Sequence, residues 1–150
     1  MTLDACGGVR QIDNAQRLWR SVRHSADSLA WHADEQRWMP AGNAVRFNED
    51  WSSSWREHVT NVHGLDAADV TGPGHPLVFE VGVGEVRALG MGVEHTPQGG
   101  APIDCAHTST WYREDRERPI RPERARSRIA LGSLLALVHG TITLAPPPGA

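Results

Sequence analysis

Leu77-Val-Phe-Glu-Val81, flanked by Pro76 and Gly82, decides the fold class. β-Branched and aromatic residues dominate it, and these suit a pleated, half-buried surface. A strand is therefore expected over 76–83. Gly82, Gly84, Gly90 and Gly92 punctuate the next stretch of chain, and a bend or bulge leading into a second strand, Met91–His95, fits that spacing. Further on, residues 104–112 (Asp-Cys-Ala-His-Thr-Ser-Thr-Trp-Tyr) alternate as a third strand, with Cys105, His107, Ser109 and Trp111 on one face. Upstream, Gln16–Val22 alternates too: Leu18, Arg20 and Val22 point one way, and Arg17, Trp19 and Ser21 the other.

The remaining segments are placed around these strands. Residues 23–43 lose the period and read as a long loop with one helical turn at 34–37. A short strand is expected over 44–47, and residues 51–59 read as a strand through the alternation of Trp55, Glu57 and Val59. One helical turn is expected at 65–70, before Thr71-Gly-Pro-Gly74. Pro122 suits the first turn of a helix over 123–139, where Leu131, Leu134, Leu135 and Val138 make an apolar stripe that Gly140 closes. Gly132 inside it costs about 1 kcal/mol of helix propensity. Residues 141–144 read as a terminal strand. The sum is an α+β domain: a mixed, mostly antiparallel sheet of about four to six strands with the C-terminal helix packed on one face. The expected layout is a loose leader over 1–15, one domain over 16–145 and a Pro-rich tail over 146–150.

Composition excludes several classes. The chain has 150 residues, 39% apolar and 22% charged, which fits one globular domain. Its longest apolar run, Leu134–Val138, is far short of a membrane span. The N-terminus lacks a basic stretch followed by an apolar one, so a secretory signal is not expected and a cytoplasmic location is. In a reducing cytosol Cys6 and Cys105 are expected as free thiols. A net charge of −3 argues against nucleic acid. All 15 basic residues are arginine, which excludes Schiff-base and P-loop chemistry.

Three constellations carry candidate chemistry. His95, Cys105 and His107 offer imidazole and thiolate donors, and the expected strands would set them near one another for a transition metal. No Cys-x-x-Cys or His-Glu-x-x-His accompanies them. Arg113, Arg116, Arg118, Arg121, Arg124, Arg126 and Arg128 outnumber the four acids among them and suit an oxyanion or an acidic partner. Of the six tryptophans, Trp31, Trp38 and Trp51 sit in polar context and are expected at the surface, where indoles are typical of interfaces. Glu80, Glu85, His75 and Ser109 form no recognisable serine triad, for the chain has no Gly-x-Ser-x-Gly turn.

Taken in order, several marks resemble a loosely defined group of uncharacterised bacterial proteins of similar length. They are Leu18-Trp19-Arg20, Ala44-Val-Arg-Phe47, Val86-Arg-Ala-Leu-Gly90 and Pro102-Ile-Asp-Cys-Ala-His107, followed by the helix. Members of that group carry Ser-Ser where this chain has Ala44-Val45. The resemblance implies no particular activity. More distantly, the Leu-x-Arg strand is similar to that of ADP-ribosyltransferase-like toxins of the RES type, which have a split β-sheet. That resemblance implies NAD, with Arg20 on its phosphate or ribose and Glu80 or Glu94 orienting the ribose.

The leading expectation is a non-enzymatic binding or adaptor protein that needs no cofactor. It would meet a protein partner or acidic ligand through Arg20, Trp31, Trp38, Trp51 and Arg113, Arg116, Arg118 and Arg121. The alternative is a small enzyme, either NAD-using and ADP-ribosyltransferase-like or dependent on a transition metal such as zinc.

Overall fold

The computed structural model describes Cys6, residues 11–47 and residues 49–150. Its frame is a six-stranded sheet in which every pairing is antiparallel. The strands are β1 (Arg17–Val22), β4 (Trp51–Trp55), β5 (Leu77–Gly82), β6 (Gly92–His95), β7 (His107–Trp111) and β8 (Ala136–Gly140), in the spatial order β6-β7-β4-β1-β5-β8. A separate hairpin joins β2 (Leu29–His32) to β3 (Arg37–Pro40). The helices are α1 (Val83–Ala88), the single turn α2 (Pro102–Cys105) and α3 (Arg121–Leu134). The α+β class and the C-terminal helix are as the sequence predicts. Among the described residues no helix is long and apolar enough to cross a membrane.

Register assigns the two faces. Leu18 pairs with Val81, Val22 with Leu77, and Arg20 with Phe79, so these side chains share one face. There Leu18, Val22, Leu77 and Phe79 pack with Trp51 and with Leu131 and Leu135 at the C-terminal end of α3. Each leucine so buried is worth about 1.5–3 kcal/mol. The opposite face carries Trp19 and Val78, covered by Val59, Val70 and Ala106 in a smaller cluster. The ladder between β1 and β4 holds only at Leu18–Trp55 and Trp19–Ser54. Beyond that point Arg20 Nη1 fills the gap, donating to the Ser52 carbonyl at 2.7 Å.

Several elements depart from expectation. The supposed loop at 23–43 contains the β2–β3 hairpin, turned by Gln36 at φ 52°. Its arginine, Arg37, donates to the carbonyls of Leu135 (2.7 Å) and Ser133 and so satisfies the orphan acceptors at the end of α3. Gly82 and Gly84 begin α1 and do not mark a bulge, because the Glu85 carboxylate accepts from the Gly82 N–H at 3.0 Å and caps the turn. Residues 42–44 form a 3-10 turn in place of a strand. Helix α3 stops at Leu134, and residues 136–140 add a strand at the sheet edge, so Val138 lies on β8 and is 45% exposed. No strand is found over 141–144.

The expected leader lies partly outside the described residues. Where it is described it is anchored, with Ile12 in the core and Cys6 disulfide-bonded to Cys105. That bond corrects the expectation of free thiols.

Candidate functional site

Of the tryptophans expected outside, Trp51 is not: it is 1% exposed, and its Nε1 donates to the Ala44 carbonyl at 2.7 Å. The alternation of β4 places it on the core face, which its polar serine neighbours conceal in the sequence. Trp31 and Trp38 are half-buried cross-strand partners on the hairpin, with ring centroids 5.5 Å apart and planes at 73°. They open onto a groove of about 410 Å³ shared with Ala136, Leu137 and Leu144. Trp38 Nε1 donates to the Ala145 carbonyl at 2.8 Å, which fixes one wall. On the other side of β3 a second groove, about 200 Å³, is lined by Met39, Pro40, Arg46, Arg128 and Ile129.

The arginines divide into two sets. Arg113 bonds Glu123 at 2.9 Å, and Arg116 reaches Glu94 at 3.4 Å while its guanidinium lies 3.9 Å from the centre of a Trp111 ring. Those two are internally engaged. Arg118, Arg121, Arg124, Arg126 and Arg128 make no ion pair with any described residue. A groove of about 660 Å³ lies beside Arg87, Tyr112 and Arg113. Arg87 there is already bonded to the carbonyls of Ile12 and Val93 (3.1 Å), and Arg113 to Glu123.

Arg20 and Glu80 do not share a cleft. Arg20 is on the core face with its guanidinium 5.5 Å from the centre of a Trp51 ring, and burial pulls its pKa below the ordinary value. Glu80 pairs with Trp19 on the opposite face. Its carboxylate accepts from Trp19 Nε1 (3.1 Å), Arg17 (3.1 Å) and Arg56 (2.9 Å). Glu94 shares its face with Ser109, also opposite to Arg20, and is held by Arg116. Arg20 therefore faces neither Glu80 nor Glu94.

The expected set His95, Cys105 and His107 is not assembled either. Pro102 opens the turn α2, so Cys105 sits on a helical turn before β7 and shares no strand face with His107. His107 Nδ1 donates to the Thr96 carbonyl at 2.8 Å. His95 Nε2 donates to the Cys105 carbonyl at 2.7 Å. A different set converges where β4 and β6 end and β7 begins. The ligand atoms of His58, His63 and Cys105 lie within 4.8 Å of one another.

His58 and His63 bracket the π-helical turn His58–Val62, and π turns are rare and frequent at functional sites. Their rings are 5.0 Å apart, and His58 is 5.2 Å from His95 and 5.4 Å from Trp55. His58 Nε2 donates to the Cys6 carbonyl at 2.5 Å, while His58 Nδ1 and His63 Nε2 are buried with no hydrogen-bond partner. Desolvation holds the His58 pKa below its ordinary value, outweighing the bond to Cys6, and so favours the neutral ring. The sequence signal for this cluster is the His-x-x-x-x-His spacing at 58 and 63, which a strand over 51–59 hides. No protein-family model matches the chain, and neither a curated protein nor a solved structure matches it.

Proposed function

We propose that the chain is a non-enzymatic binding module that takes an extended, apolar segment of a partner protein carrying acidic residues. The observation that carries this reading is the Trp31–Trp38 pair beside the edge strand β8. β8 is last in the sheet order, so one row of its backbone groups has no strand partner among the described residues. Leu137 and Val138 on it are each 45% exposed. Edge strands are ordinarily shielded by lysine, proline or inward-pointing charge, and residues 136–140 contain none of these. An added strand would complete the ladder, and its alternate side chains would enter the groove beside the indoles.

Charge supports the same partner. Arg128, which makes no ion pair with a described residue, lines the second groove with Arg46 on the far side of β3. A guanidinium without an internal carboxylate is available for a two-pronged contact with Asp or Glu. Panning a random-peptide phage library on the whole protein tests the reading. Selected peptides should alternate apolar residues, carry Asp or Glu, and bind at least about tenfold more weakly to Leu137→Glu or Trp31→Ala. Binding unaffected by both substitutions would overturn it.

A further inference from the structure

Apart from the groove, the molecule holds a second assembly of chemistry-bearing groups at the cystine. We propose that His58, His63, Cys105 and Cys6 form a tetrahedral zinc site when the Cys6–Cys105 disulfide is reduced, so that one cluster is closed by a disulfide when oxidised and by a metal ion when reduced. Three donors are already gathered, since the ligand atoms of His58, His63 and Cys105 lie within 4.8 Å of one another. Zinc–nitrogen and zinc–sulfur bonds set neighbouring ligand atoms about 3.3–3.8 Å apart, so a small contraction suffices. The fourth donor, Cys6 Sγ, is bonded to Cys105 Sγ in the oxidised form and is therefore at hand when that bond opens.

The second observation is the hydrogen bonding. His58 is 3% exposed, and its Nε2–H donates to the Cys6 carbonyl. In the neutral ring this leaves the lone pair on Nδ1, which is buried and has no partner. A backbone carbonyl fixing the far nitrogen is the arrangement that orients metal-bound histidines. His63 Nε2 is likewise buried without a partner. Buried polar atoms are ordinarily satisfied, and two unpartnered nitrogens from neighbouring imidazoles beside one cystine suit a shared cation. Two nitrogens and two thiolates, with no carboxylate, select zinc over magnesium or calcium.

Reduction comes first. A dithiol reductant gives up two electrons and two protons and leaves as its own disulfide. The Cys6–Cys105 sulfur–sulfur bond breaks and two cysteine thiols form. Zinc then displaces one proton from each thiol, releasing two protons per ion bound.

The test uses the whole chain, reduced with a small dithiol, desalted under nitrogen and titrated with Zn²⁺ or Co²⁺ alone. Reduced protein should bind one ion per chain, and oxidised protein none. The cobalt form should show the visible bands of a tetrahedral ion with a thiolate-to-cobalt charge-transfer band. His63→Ala should weaken binding by more than the ~10–100-fold that an outer-shell change costs, His63→Cys should restore it, and His107→Ala should leave it unchanged. Circular dichroism confirms that each variant is folded. Equal zinc uptake in the two redox forms, or a folded His63→Ala protein that binds as tightly as wild type, would overturn the proposal.

Discussion

A Cβ placed on Gly132 would come within 2.3 Å of the Pro40 carbonyl oxygen. Helix α3 therefore meets β3 backbone to backbone, and this contact braces the hairpin that carries Trp31 and Trp38. The obstructing atom is main chain, so it cannot swing aside as a flexible side chain would. Alanine here gains about 1 kcal/mol of helix propensity. Forcing an extra carbon into a packed contact costs about 1–3 kcal/mol. The strain should win, because the obstructing atom is backbone, and Gly132→Ala should lower unfolding stability by up to about 2 kcal/mol in urea. A stabilised variant would show that α3 is free to move away from β3.

Arg20 has a structural role in this fold. It replaces the missing β1–β4 ladder bonds by donating to the Ser52 carbonyl, and it lies against Trp51. Arg20→Ala removes that packing and leaves a carbonyl unsatisfied, so a loss of about 2–4 kcal/mol is expected in chemical denaturation. A loss within about 0.5 kcal/mol, the usual range for surface changes, would contradict this role.

The Cys6–Cys105 disulfide spans 99 residues of chain. Closing a loop of that length restricts the unfolded ensemble by about 4–5 kcal/mol in the chain-entropy treatment. Metal-free reduced protein should accordingly unfold at a much lower urea concentration than oxidised protein. Coincident transitions would show that the N-terminal segment adds nothing to global stability.

Arg118 and Arg121 are exposed and carry no ion pair with a described residue, so neither should matter for folding. The double variant Arg118→Ala, Arg121→Ala should keep its stability within about 0.5 kcal/mol. Its affinity for an acidic library-selected peptide should hold as well, because Arg118 lies beside Trp111 and Tyr112, away from β8. The pair Arg46→Ala, Arg128→Ala should lower that affinity, and less so at high salt, because exposed charge contacts are screened. A loss confined to the first pair would place the acidic partner beside Trp111 instead.

Periodicity accounts for the parts of the fold that are legible in the sequence. β5 shows as a run of β-branched and aromatic residues, β1 alternates over 17–22, and the helix ending in Leu131 and Leu134 shows its apolar stripe. The β2–β3 hairpin is not legible, because Leu29–His32 and Arg37–Pro40 are only four residues each and Ala33–Gln36 lacks the glycine of a common tight turn. Trp51 reads as exposed because serines come after it, yet alternation sends Trp51 and Ser53 to the core face, where Ser53 satisfies itself on Thr108 Oγ1 at 2.5 Å. The histidine cluster is invisible for a topological reason. Cys6, His58, His63 and Cys105 are scattered through the chain and meet only once the sheet has ordered its strands.

The most direct measurement of the binding reading is amide hydrogen exchange at residues 136–140 with and without a library-selected peptide. An added strand places new hydrogen bonds on the outer edge of β8, so exchange there should slow by about tenfold or more. Unaltered exchange over 136–140, with protection appearing instead beside Arg87 and Tyr112, would contradict it.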